Sequence, residues 1–185
     1  LPDLKSETFG DGKRYYVSPE GEKLPSVTTV IGASKKKQIQ EWRDRVGHET
    51  ANKISRVASG RGTRFHSLCE QYLNNEPLKP TMPDALEMFQ SVKPLLHNIN
   101  NIHYQEASLW SLRLKLAGRV DCIGEWEGKL SVIDFKTSKR IKTEDDIPDY
   151  FAQCAAYACM YEELIGNPIG QIVVLMAVEN EQPIV

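Results

Sequence analysis

Long apolar runs are missing from this sequence. No stretch approaches the roughly 18 residues that a membrane-spanning helix needs, so an integral membrane protein built of helices is excluded. No signal-peptide pattern opens the chain, and no internal repeat or low-complexity tract interrupts it. Charge of one sign is also missing. Lys and Arg number 23 against 25 Asp and Glu, a net charge of −2. That balance excludes a histone-like grip on nucleic acid by overall field, and any such contact must come from local basic patches. Cysteine is sparse. Cys69, Cys122, Cys154 and Cys159 form no CxxC pair and match no common zinc spacing. They read as reduced core residues in a reducing, intracellular compartment. A G-x-S-x-G nucleophile signature is absent as well.

What is present is a soluble globular composition, 41% hydrophobic and 26% charged over 185 residues. That length suits one domain, 1–185, with a buried core. Residues 13–31 read as strands and turns around the turn signal SPEGE. Apolar residues at helical spacing predict an amphipathic helix over 38–58, broken by Gly60 and Gly62, and a second over 63–74. Asp84 and Glu87 resemble a capping box opening a third helix, which Pro94 should kink or end. From Glu106 the period changes to two, with Glu106, Ser108, Trp110, Leu112, Leu114 and Leu116 on one face. Strands over about 117–126 and 129–136 follow across the turn Glu127-Gly128. A helix over about 149–165, capped by Asp149 and closed by Gly166, leads to the apolar segment QIVVLMAV, which reads as a buried strand. The fold class is α/β: a mixed central sheet with an antiparallel meander, flanked by helices. The helical part is about 32–100, and the sheet with its helix is about 104–178.

The stretch VIDFKTSKR carries the chemistry. In a strand, Asp134 and Lys136 share one face while Ile133 and Phe135 point the other way. If the preceding turn is centred on Glu127-Gly128, paired positions sum to 255 and Asp121 lies opposite Asp134. Two carboxylates so placed repel each other, and a hard divalent cation with oxygen ligands relieves that repulsion. Lys136 then suits an anion brought to the cation. A turn centred one residue away would instead put Asp121 on the far face, and a plain surface ion pair of Asp134 with Lys136 is the other alternative. Glu106, on the inward face of the neighbouring strand, makes sense as a third carboxylate near the metal; a solvated strand-end glutamate is the alternative. His66 and Glu70, and Gln153 and Tyr157, are i, i+4 pairs that taken alone read as ordinary helix residues.

The order GxxFH on a helix, then Glu106, GRVD, VIDFKT and QxxxY on a helix resembles the RecB-type branch of the PD-(D/E)XK nuclease superfamily, close to its phage and mitochondrial exonucleases. LPSVTTVIG, Trp42 and GRGTRFHSLCEQYL add to the likeness, which covers roughly 13–178. The resemblance implies a DNA exonuclease using one or two Mg²⁺ or Mn²⁺ ions. Asp121, Asp134 and His66 would be metal ligands, Lys136 would polarise the phosphate or orient water, and Glu106 would be an acidic partner. Gln153 and Tyr157 would orient Lys136 or touch DNA, and Glu70 would lie behind the site. DNA contacts would come from Lys35, Lys36, Lys37, Arg43, Arg45, Arg61 and Arg64, and from Lys139, Arg140 and Lys142. Ser26 and Thr28 would meet a phosphate, and Trp42 would either stack a base or pack in the core. Some relatives hold an iron–sulfur cluster. The cysteine positions here do not match that pattern, and no cluster is expected. The expected substrate is single-stranded DNA with a free end. The expected compartment is a bacterial host's cytoplasm for a viral protein or the mitochondrial matrix for an organellar one. An endonuclease of the same fold and a non-cleaving DNA-binding module are the competing readings.

Overall fold

The computed structural model describes residues 1–185. Its elements are β1 (Ser6–Thr8), β2 (Arg14–Val17), β3 (Lys23–Pro25), α1 (Val27–Ala33), α2 (Lys36–Val46), α3 (His48–Leu73), α4 (Pro83–Leu96), β4 (Ile99–Ser111), β5 (Leu116–Trp126), β6 (Lys129–Ser138), α5 (Pro148–Ile165) and β7 (Gln171–Val178). The short strands pair in the order β1-β2-β3 and the long ones in the order β4-β5-β6-β7. The second sheet is mixed and flanked by helices, the expected α/β architecture. By compactness the chain forms two units. The first is Leu1–Ala33 with Asn98–Asp134 and Thr143–Val174. The second is Ser34–His97 with Phe135–Lys142 and Leu175–Val185.

In the first unit β4, β5 and β6 form the predicted meander. Their turns are tight because Lys115, Glu127 and Gly128 adopt positive φ (55°, 50° and 81°). Two successive positive φ values at Glu127 and Gly128 match the twist of a two-residue hairpin. That hairpin sets the register Trp126↔Lys129 through Cys122↔Ile133, in which paired positions sum to 255 as expected. Helices α1 and α5 pack against each other and against β5. A small apolar cluster of Tyr16, Leu24, Trp110 and Ala117 joins the two sheets, with Leu4, Leu112 and Leu164 packed on it.

In the second unit α3 packs on α4. Phe65, Leu68 and Cys69 of α3 and Ala85, Phe89, Val92 and Leu96 of α4 are buried. Helix α2 buries no residue at all.

Several local expectations are corrected. Residues Val27–Ala33 form a helix rather than a strand, although β-branched residues fill them. Ser26 caps that helix: its hydroxyl accepts the Thr29 N–H at 3.1 Å, and its carbonyl accepts the Val30 N–H. A good cap and tertiary contact outweigh β-propensity here. The break expected at Gly60 and Gly62 falls instead at Gly47, whose φ of 89° suits only glycine. Helix α3 runs unbroken through both later glycines. The apolar positions of the predicted 38–58 helix do not form a core face, since Ile39 and Val57 remain 49% and 50% exposed. Asp84 and Asp149 are not caps. Helices α4 and α5 open one residue earlier, on Pro83 and Pro148, because proline presets the backbone of a first helical position. Pro94 sits in the last turn of α4, which stops at Leu96. Strand β4 starts at Ile99 and ends at Ser111, so Leu112 and Leu114 lie in a turn. Glu163 anchors that turn by accepting the Leu112 and Arg113 N–H groups at 3.1 and 3.4 Å.

Candidate active site

The first unit carries a row of carboxylates. The β5–β6 ladder reaches Cys122↔Ile133, and the next residue along each strand is Asp121 and Asp134. On the other side of β5 the pairs Gln105↔Cys122 and Ala107↔Val120 bracket Glu106 and Asp121. Glu106, Asp121 and Asp134 therefore occupy one level across three neighbouring strands. Asp134 is only 2% exposed, an environment in which an ionised carboxylate needs strong compensation. Glu106 has φ of +47°, a left-handed backbone that is uncommon outside glycine and collects at functional positions. Its carboxylate accepts a hydrogen bond from Arg119 Nε at 3.1 Å.

Tyr157 of α5 packs over Gly118 of β5, within electrostatic reach of Asp134 and Asp121. It is buried, and its phenol is held neutral to high pH by desolvation, which the charges of Asp134 and Asp121 reinforce. The Gln153 amide donates to its hydroxyl at 3.1 Å, as the i, i+4 spacing allows. The ring lies against Gly118, where an added Cβ would come within 2.7 Å of Tyr157 Cε1. The absence of a side chain at Gly118 is what lets Tyr157 approach the strand this closely. Gly118→Ala should force the buried ring to shift at a cost of about 1–3 kcal/mol. That is about 2–4 °C in melting temperature per kcal/mol for a chain of this size, readable by thermal denaturation. An unchanged melting temperature would show that the ring is loosely held. Cys122, beside Asp121, is no nucleophile, because burial first and the Asp121 and Glu106 charges next push its thiol up to about 12.

The second unit holds His66 and Lys136. His66 Nδ1 lies 2.8 Å from the Gly62 carbonyl. A carbonyl only accepts, so Nδ1 carries a proton, and in the neutral ring Nε2 then keeps the lone pair, the tautomer a metal ligand needs. Its ring packs edge-on against Phe65 and Phe135. Phe135 separates Asp134 from Lys136 in β6.

The basic candidates all belong to the second unit. Lys36 and Lys37 are exposed at the start of α2, and Lys37 reaches Glu41 only at 4.0 Å. Lys35 precedes the helix, and Lys139 and Arg140 are exposed after β6. Trp42 is half-buried on α2, a helix with no core face. Arg43 is engaged with Asn52. Arg61 is buried and paired with Glu179 at 3.2 Å, and Arg64 reaches Asp84 at 3.3 Å. In the first unit the hydroxyl of Ser26 is committed to capping α1 and to Thr28 and Thr29.

No group of three or more His, Cys, Asp or Glu side chains forms a ready metal cage. The donors at hand still fit a small, hard cation. Mg²⁺ keeps several waters and is commonly held by one or two carboxylates together with substrate phosphate, which is what Asp121 and Asp134 offer.

A mixed sheet with acidic residues level on its meander and a lysine two residues after one of them defines a nuclease-type core. The sequence profile of the PD-(D/E)XK nuclease superfamily matches residues 40–182. The chain belongs to that superfamily, whose members generally use divalent metals. It is 30% identical over 130 residues to "Mitochondrial genome maintenance exonuclease 1" of Homo sapiens, a match covering 64% of this chain and 38% of the human protein. It is 27% identical over 145 residues to the protein of the same name from Xenopus tropicalis, covering 72% and 42%. The chain thus spans about two fifths of the length of the curated relatives it matches. No helix is long and apolar enough to cross a membrane.

Sequence reasoning missed the partner of Glu106. Arg119 belongs to the GRVD stretch, but its ion pairs with Glu106 and Asp3 carry no local signal.

Proposed function

We propose that this chain is a divalent-metal-dependent deoxyribonuclease that degrades DNA from a free end, with single strands as the preferred substrate, and that it works as one nuclease domain inside a reducing compartment. The observation that carries the reading is the level row Glu106, Asp121 and Asp134 with Lys136 two residues further along β6. Family membership and exonuclease-named relatives support it.

A phosphodiester resists attack because its negative charge repels nucleophiles. Mg²⁺ or Mn²⁺ bound at the carboxylates would supply a more acidic water and neutralise charge on the phosphate. Asp121 and Asp134 would hold that cation, and His66, whose Nδ1 is turned to the Gly62 carbonyl, would offer Nε2 as a further ligand. Lys136 places an ammonium against the phosphate being cut. Gln153 and Tyr157 keep the wall beside the carboxylates ordered and dry. Lys35, Lys36, Lys37, Lys139 and Arg140 meet the DNA backbone, and Trp42 stacks on a base for about 1–3 kcal/mol. A net charge of −2 offers no broad field for gripping a duplex, which favours a single strand held by local patches.

The deciding experiment compares linear single-stranded, linear duplex and circular single-stranded DNA, each with Mg²⁺ and with EDTA. The linear single strand should be degraded fastest, the circle should survive, and EDTA should stop all cutting. Equal cutting of the circle would identify an endonuclease. Binding without cutting in Mg²⁺ would identify a DNA-binding module.

A further inference from the structure

Arg119 lies two residues before Asp121 in β5, so strand period puts both side chains on one face. Its guanidinium is shared between two carboxylates. Nε donates to Glu106 Oε2 at 3.1 Å, and Nη1 donates to Asp3 Oδ1 at 2.9 Å. The Asp3 arm is itself tied down. The Ser108 hydroxyl donates to Asp3 Oδ1 at 2.8 Å, and Ser108 Oγ accepts the Leu4 N–H at 3.0 Å. Ser108 is the ladder partner of Arg119. Leu4 packs on the Tyr16–Leu24–Trp110–Ala117 cluster. The N-terminal segment therefore fixes the guanidinium from one side, and the guanidinium fixes Glu106 from the other.

The consequence lies in the acidic row. Glu106 is level with Asp121, and Asp121 with Asp134, yet the three do not gather as a metal cage. Glu106 has a left-handed backbone, and its carboxylate is paired with Arg119 Nε at 3.1 Å. The number of carboxylates at a site governs which hard cation it prefers. Mg²⁺ is satisfied by one or two carboxylates with water and phosphate, whereas Ca²⁺ takes six to eight oxygens and gains from each added carboxylate.

We propose that Arg119 sets the cation preference of this site by withholding Glu106 from it, which keeps a two-carboxylate site suited to Mg²⁺ rather than a three-carboxylate site suited to Ca²⁺. This rests on the reading that Asp121 and Asp134 hold the metal. Arg119 is a positioning residue: it acts on the cation through Glu106.

The test is calorimetric titration of Mg²⁺ and of Ca²⁺ into the metal-free full chain, without DNA. The proteins are wild type, Arg119→Gln, Glu106→Gln and the double variant. Arg119→Gln should tighten Ca²⁺ by about tenfold and Mg²⁺ by no more than about threefold, the smaller part being the removed positive field. Glu106→Gln alone should leave both affinities within about twofold, since Glu106 is already occupied, and in the double variant it should cancel the calcium gain. Arg119→Lys keeps the charge but loses the fork that spans both partners. It should give an intermediate ratio, and it carries the test if the glutamine variant fails to fold. Three results overturn the proposal: equal tightening of both ions, a calcium gain that survives in the double variant, or Glu106→Gln weakening wild type as strongly as it weakens the Arg119 variant. A wild type that binds neither ion removes the metal-pair assignment together with the proposal. Normal metal binding with an unmoved ratio removes the proposal alone.

Discussion

Asp134→Ala is expected to lower cleavage of single-stranded DNA by on the order of 10³-fold, the scale of losing one preorganised charge-stabilising group. Asp134 is 2% exposed, and continuing the β5–β6 register one residue past Cys122↔Ile133 brings it level with Asp121. In the proposed site its loss would leave one carboxylate where two would hold a cation, so Mn²⁺ affinity measured by calorimetry should fall as well. The fold should persist, because Val132, Ile133 and Phe135 around it are themselves buried and keep β6 in place. Circular dichroism checks that point, and single-turnover cleavage of end-labelled DNA checks the rate. Turnover near the wild-type rate would remove Asp134 from the site.

Lys136→Ala is expected to cost on the order of 10²–10³-fold in the same assay, again the scale of losing one charge-stabilising group. Here Mn²⁺ affinity should change little, because the role proposed for the ammonium is toward the phosphate rather than the metal. That split separates the two residues: Asp134 acts on cation and rate together, and Lys136 on rate alone. Lys136→Arg should recover only part of the activity, since a flat guanidinium does not replace a compact ammonium at one oxygen. A Lys136→Ala variant that cuts at the normal rate, or one that loses metal as fully as Asp134→Ala, would contradict the assigned role.

The β5–β6 hairpin was legible in the sequence because its register depends on two residues. Glu127-Gly128 can form a tight turn only with both residues at positive φ, and once the turn is placed, every later pair follows by counting. The Gln153–Tyr157 contact was legible for a similar reason, since four residues bring two helix positions onto one face. Helix boundaries were less legible. Gly60 and Gly62 read as breakers but lie inside α3, where tertiary packing repays a cost of about 1 kcal/mol each relative to alanine. Gly47 looked no different in the sequence, yet it ends α2 because its backbone takes a conformation closed to other residues.

Local rules, acting over two to four residues, determined the strand alternation, the tight turn and the helix faces. Those rules are enough to put Asp134 and Lys136 on one side of β6 and to set Asp121 against Asp134. Only the tertiary structure decided what surrounds them. Asp3 meets Arg119 across 116 positions of sequence, and Tyr157 of α5 fills the space left by Gly118 of β5. Contacts of that kind depend on how separate elements are brought together, so no local pattern encodes them. Glu106 shows the difference most directly: its place beside Asp121 follows from pairing, but its left-handed backbone and its guanidinium partner follow from the folded chain as a whole.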